Sequence, residues 1–171
     1  DGFPTLGSFF EYSKGASVAP ASVFVHLNGL LNNDGKYDPP PFDVSEAATP
    51  CAMFSYLVHI IRDFQKDQLN NLNYFADDIL QKHRLGRFDL KEIAWGHPVS
   101  ENFRQMIKEY YLLADEYRKK TLNTMEKILP LHKPRYQLSL HIIFNLYLMV
   151  FERIDYRNGS FKTAELTPTP E

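Results

Sequence analysis

The chain has 171 residues, 44% of them hydrophobic and 23% charged, with a net charge of −2. That is enough for one domain with its own core, and it lacks the basic excess of a nucleic-acid-binding protein. Cys51 is the only cysteine, which excludes an intramolecular disulfide and a cysteine-based zinc site and suits a reducing compartment.

In chain order, helical spacing predicts a short helix near Leu6 to Lys14 and a second over Ala19 to Leu31, with Pro20 in its first turn. Asn33, Asp34 and Gly35 are turn residues, and Pro39, Pro40 and Pro41 enforce an extended path. Asp43 or Ser45 is placed to cap the next helix, which runs from Val44 through Leu85 with a break expected near Leu69 to Asn73. A short helix follows over Arg87 to Gly96. The longest pattern starts at Ser100, with Phe103, Met106, Ile107, Tyr110, Ala114 and Tyr117 on one stripe. Pro130 and Pro134 bracket a break before a last helix over Arg135 to Ile154. The chain is expected to loosen over 161–171. No stretch reaches the roughly 18 apolar residues of a membrane span. The sum is an all-α fold, an antiparallel helix bundle filling residues 1–160.

The chemistry concentrates in YLVHIIRDFQKDQ, Tyr56 to Gln68. On a helix Asp63 and Asp67 share one face, and His59 lies one turn earlier on the same stripe. Arg62 and Lys66 are expected on other sides of the wheel. Two stacked carboxylates repel, and more so when desolvated, so a positive partner is needed. Mg²⁺ answers that need, because it is held by one or two carboxylates together with waters and substrate phosphates. The same D-x-x-x-D spacing also occurs on ordinary solvated helix faces.

HIIRDFQKDQ resembles the second aspartate-rich motif of the squalene/phytoene synthase family, N-I-[IL]-R-D-x-x-E-D, through Ile60, Ile61, Arg62, Asp63 and Asp67. ADDILQKHRLGRFDLKEIA is similar to the P-x-D-x-L-x-x-x-G-L segment that follows it, through Asp78, Leu80 and Leu85. Upstream, EYSKGASVAPASVFVHL resembles the family's Y-C-x-x-x-A-G-x-V-G helix, with Ala16 at the Ala position. The resemblance implies part of an isoprenoid-synthase fold and head-to-head condensation of farnesyl or geranylgeranyl diphosphate, with pyrophosphate released. Asp63 and Asp67 would ligate Mg²⁺, with Asp63, Asp67 and Arg62 as the catalytic set. Arg62, Lys66, His59 and Tyr74 would meet the substrate. NADPH enters only if the product is of the squalene type. The resemblance further implies a cytoplasmic protein with peripheral membrane contact.

Several positions depart from the family. His59 stands for Asn, Lys66 for Glu, and Leu72 to Ala76 lack the usual Arg and Pro. Only the second of the family's two motifs is identified, and position 1 is not Met. The chain therefore reads as the C-terminal half of a synthase, inactive alone, that associates with itself or with its own N-terminal half through apolar faces left uncovered. The alternative is a non-catalytic relative acting as an assembly or interaction protein. Elsewhere, His141 reads as a core histidine, Cys51 as an inert buried thiol, and GASVAPAS either as a helix break beside a cavity or as a close helix contact.

Overall fold

Residues 2–168 are described by the computed structural model, and most of them are helical. Helix α1 (Leu6–Ser13) starts with a capping box in which Thr5 and Ser8 satisfy each other's backbone N–H groups. It passes through a π-helical turn (Lys14–Val18) into α2 (Ala19–Gly29). Gly29 permits a close approach there, since a β-carbon would lie 2.9 Å from Pro40.

A short antiparallel hairpin follows, β1 (Leu31–Asn33) with β2 (Lys36–Asp38). Its turn residues, Asp34 and Gly35, both take positive φ, 50° and 89°. The Asp-Gly pair is the sequence signal for this turn, which was expected to join the helices without strands.

Helix α3 (Val44–Arg62), capped by Asp43, is the central element. It packs on α2, on α7 (Glu101–Ile128) and on α8 (Pro134–Phe151). Phe64, just past the C-terminal end of α3, touches Phe103 near the start of α7 (4.8 Å between rings), and Ala47 meets Ile128 near its end, so α3 and α7 are antiparallel. α8 returns along α7 with Tyr111 stacked on Phe151 at 4.4 Å. α3 is the one helix among the described residues long and apolar enough to cross a bilayer, but Phe54, Leu57, Val58, Ile60 and Ile61 along it are core residues.

The helix does not run on from Val44 to Leu69 as expected. It breaks at Asp63 (φ −90°, ψ 2°), and α4 (Phe64–Leu69) continues from the joint. α5 (Asp77–Lys82), inside the helical continuation expected beyond the Leu69–Asn73 break, and α6 (Arg87–Ala94) complete this side. α4, α5 and α6 end alike, each with a residue in the left-handed region: Asn71, Arg84 and Gly96. In each, paired bonds close the last turn, as when Leu85 N–H donates to Leu80 O and Arg84 N–H to Gln81 O. Asn and Gly take that conformation readily; Arg84 does so at φ 54° against its own β-carbon.

Two further expectations are corrected. His141 is exposed on α8, and the buried histidine is His132, 5% exposed, whose Nδ1 lies 2.7 Å from Ile128 O. The chain does not loosen at 161: Phe161 and Leu166, on either side of the start of α9 (Thr163–Leu166), are each 1% exposed. Phe161 lies 5.3 Å from Phe103, and Thr163 N–H donates to Gln65 Oε1 at 3.0 Å. Residues 169–171 of the expected tail lie outside the described residues.

Arg84→Gly is expected to raise the unfolding free energy by about 0.5–1 kcal/mol, because the left-handed strain removed outweighs the added freedom of the unfolded chain. Urea unfolding checks this, and a lowered midpoint would show that the Arg84 side chain contributes more than its backbone costs.

Candidate functional site at the α3–α4 joint

The backbone bonds pass across the break. Asp63 N–H donates to His59 O at 2.9 Å, and Asp67 N–H donates to Asp63 O at 2.8 Å. The two aspartates therefore stay one turn apart, as the spacing predicts. Adjacent residues on an unbroken helix do not face each other. The open joint at Asp63 brings them together, and Arg62 is not turned away as expected. Its Nε donates to Asp63 Oδ1 at 2.7 Å and its Nη2 to Oδ2 at 3.0 Å.

His59 completes this group, with Nε2 2.8 Å from Asp63 Oδ2 and Nδ1 3.2 Å from Arg62 Nη2. A guanidinium only donates, so Nδ1 accepts and the ring is neutral with its proton on Nε2. Burial lowers the His59 pKa, and the Arg62 and Lys66 charges reinforce it against the pull of Asp63. Burial alone would raise Asp63. The Arg62 fork, with the N–H dipole of His59 and the Arg62 and Lys66 charges, holds it below the usual carboxylate range.

Asp67 has a different fate. Among the described residues no side chain donates to its carboxylate. Burial, and then the Asp63 charge, push it up to about 6, against the opposing charges of Lys66 and Arg62. Lys66 itself is exposed, with no ion pair among the described residues. Asp67 O also accepts the N–H of Leu72 at 2.8 Å in the turn that ends α4, so the position of Asp67 is tied to the loop carrying Tyr74.

That loop brings Tyr74 into an aromatic wall. Its ring lies 6.5 Å from Tyr56 and 6.3 Å from Phe3, while Tyr12 lies 6.4 Å from Tyr56 and Phe9 stacks on Tyr56 at 5.4 Å. Burial raises the hydroxyl pKa values of Tyr56 and Tyr74, with neighbouring tyrosines and the Asp67 charge adding to it. Sequence reasoning named Tyr74 but missed Tyr12 and Tyr56. For Tyr56 the signal was present: it lies three residues before His59 and seven before Asp63, on one helical face.

The same face of α3 continues backward into a cavity of about 310 Å³. Ala47, Ala48, Cys51, Ala52 and Ser55 line it from α3, Ser17 from the π turn, Phe24 from α2, and Met125 and Ile128 from α7. Its lining is almost wholly apolar. Tyr147 of α8 lines the cavity and also lies near enough to Arg62 to act on its charge. GASVAPAS is thus both things weighed for it: a π turn beside a cavity, and a close contact in which Ser17 Oγ donates to Ala52 O at 2.9 Å. Burial pushes the Cys51 thiol up to about 11, which keeps it protonated and inert.

Among the described residues no three His, Cys, Asp or Glu side chains converge as a metal cage. Asp63 and Asp67 offer two carboxylates, one braced and one without a partner. That donor set fits a hard divalent ion completed by water and phosphate rather than one enclosed by protein. A second D-x-x-x-D, Asp34 to Asp38, escaped sequence reasoning; it lies on the exposed hairpin, where Asn33 Nδ2 donates to Asp38. Comparison of the chain with protein-family models and with curated proteins gives no match.

The raised Asp67 pKa sets a pH dependence of stability. Between its unfolded value near 3.9 and about 6, the folded state binds more protons, so this group's contribution falls as pH rises through that window. Asp67→Asn is therefore expected to match wild-type stability near the low end and to exceed it above pH 6 or so. Urea midpoints across the window check it, and a gap that stays constant with pH would sink it.

Proposed function

We propose that this chain is the C-terminal portion of a head-to-head prenyl transferase of the squalene or phytoene type, and that the α3–α4 joint is one side of its diphosphate site. One observation carries the reading: a single face of α3 lines an apolar cavity from Ala47 to Ser55 and then, one turn on, bears His59, Arg62 and Asp63. An amphiphile with an apolar tail and an anionic head matches that order. The cavity, about 310 Å³, is at the lower end of the range usual for ligand pockets.

In this reading Asp67 and Asp63 would hold Mg²⁺, which would supply charge neutralisation for a departing diphosphate. Arg62 fixes the Asp63 carboxylate with both oxygens oriented. The exposed Lys66 adds a positive charge beside the head group, in place of the arginine missing from 72–76. Tyr12, Tyr56 and Tyr74, clustered beside the joint, would supply aromatic surface that attracts the positive charge of an allylic cation. Ala48 and Ala52 leave room for the chain.

The engagement of both Asp63 oxygens by Arg62 favours a second reading, a non-catalytic relative in which the joint is only structural. Calorimetry with Mg²⁺ and an unreactive prenyl thiodiphosphate separates the two. The first reading expects Mg²⁺-dependent binding, weakened at least about tenfold by Asp67→Asn, the loss of roughly 1.4 kcal/mol. It also expects Ala48→Phe to weaken binding of the prenyl compound while sparing inorganic pyrophosphate. Absence of Mg²⁺-dependent binding, or binding indifferent to Asp67→Asn, selects the second. Turnover of farnesyl diphosphate by these 171 residues alone would overturn the half-site idea.

A further inference from the structure

Helix α8 carries no Lys, Arg, Asp or Glu between Arg135 and its C-cap, Glu152. One side of it is core, with Phe144, Val150 and Phe151 buried. The opposite side is open: Leu138 is 60% exposed, Ile142 50%, Leu146 56% and Met149 46%. A surface helix normally places charge there, and an apolar strip of this length marks an interaction face.

The spacing of the strip says what kind of face it is. Arg135, Leu138, Ile142, Asn145, Met149 and Glu152 are all exposed and follow one another at alternating steps of three and four. That is the seam of a two-helix coiled-coil contact. The seam is also self-complementary. Laid antiparallel on a second copy about a two-fold axis between Ile143 and Phe144, Leu138 meets Met149 of the other chain and Ile142 meets Asn145. The same register sets Arg135 against Glu152 at both ends. Neither Arg135 nor Glu152 has an ion-pair partner among the described residues. Asn145 Nδ2 is used by His141 O at 2.8 Å, which leaves its Oδ1 as the polar group in the middle of the seam, where such a residue fixes register.

We propose that the exposed face of α8 is a self-association surface on which two copies of this chain pair antiparallel, closed at each end by an Arg135–Glu152 ion pair. The charge complementarity of the two ends selects a second copy over other apolar occupants, because the antiparallel register of α8 on itself keeps every seam position on a seam position and sets Arg135 against Glu152, where the parallel register would set like charges together. The proposal is independent of the catalytic reading.

Sedimentation equilibrium on the intact chain tests it, with circular dichroism to confirm that each variant is folded. The expected result is a reversible dimer that Ile142→Glu converts to monomer. Arg135→Glu and Glu152→Arg are each expected to weaken the dimer by about tenfold, since each places two like-charge contacts in every dimer. Combining them is expected to restore wild-type affinity. Overturning results are a monomer up to the millimolar range, a dimer indifferent to Ile142→Glu, or a charge swap that fails to restore pairing. Binding to lipid vesicles lost in Ile142→Glu, with no self-association, also overturns it and assigns the strip to a membrane surface.

Discussion

Helix α3 is enclosed by α2, α7 and α8, and that confinement decides what each of its faces carries. Its core side is filled by Phe54, Leu57, Ile60 and Ile61, with Phe54 against Phe144 and Phe151 of α8. Where α2, α7 and α8 fail to close on it, small residues leave a cavity. The helix cannot continue past Arg62 in the same form, because Asp63 opens its ψ to 2°. Every notable polar arrangement follows from that one joint: the Arg62 fork, the neutral His59, and the Asp67 carboxylate held one turn beyond.

The joint also explains why two identical side chains behave differently. Asp63 occupies the break, within reach of its neighbour's guanidinium, and its charge is stabilised. Asp67 sits inside the short α4, where Lys66 lies beside it in sequence but donates no hydrogen bond to it. Its charge is opposed by burial and by Asp63. Two carboxylates that share one face by their spacing are, in the folded chain, one anion held by a guanidinium and one carboxyl whose pKa is raised to about 6. The partner that sequence reasoning demanded for both is present for only one.

Much of this was legible in the residues. The 3.6-residue stripe of Phe103, Met106, Ile107, Tyr110 and Ala114 is the buried side of α7. The D-x-x-x-D spacing placed Asp63 and Asp67 on one side of the chain. What escaped was set by contacts distant in sequence or by single backbone angles. Tyr12 and Tyr56 converge only because the fold sets the Phe9 and Tyr12 rings of α1 against Tyr56 of α3. Phe161 was assigned to a loose tail because Asn158-Gly159 and the following polar residues signal a chain end, and nothing local reveals the pocket beside Phe103. His141 was placed in the core for its apolar neighbours, Ile142 and Ile143, yet a helix turns about 100° per residue and Ile142 itself faces outward. α8 is apolar on both sides, so its pattern could not say which side was core.

Gln65 lies between the two aspartates and points the other way. Its Nε2 donates to Ala94 O at 3.1 Å, and its Oε1 accepts from Thr163 N–H at 3.0 Å. One amide thus ties the back of α4 to the end of α6 and to the first residue of α9. The carboxylates stand on a turn whose rear anchor is α9, the last helix among the described residues. Mechanical load on the C-terminus, such as tension from a fused domain or an immobilising tether, is transmitted through that amide to the spacing of Asp63 and Asp67.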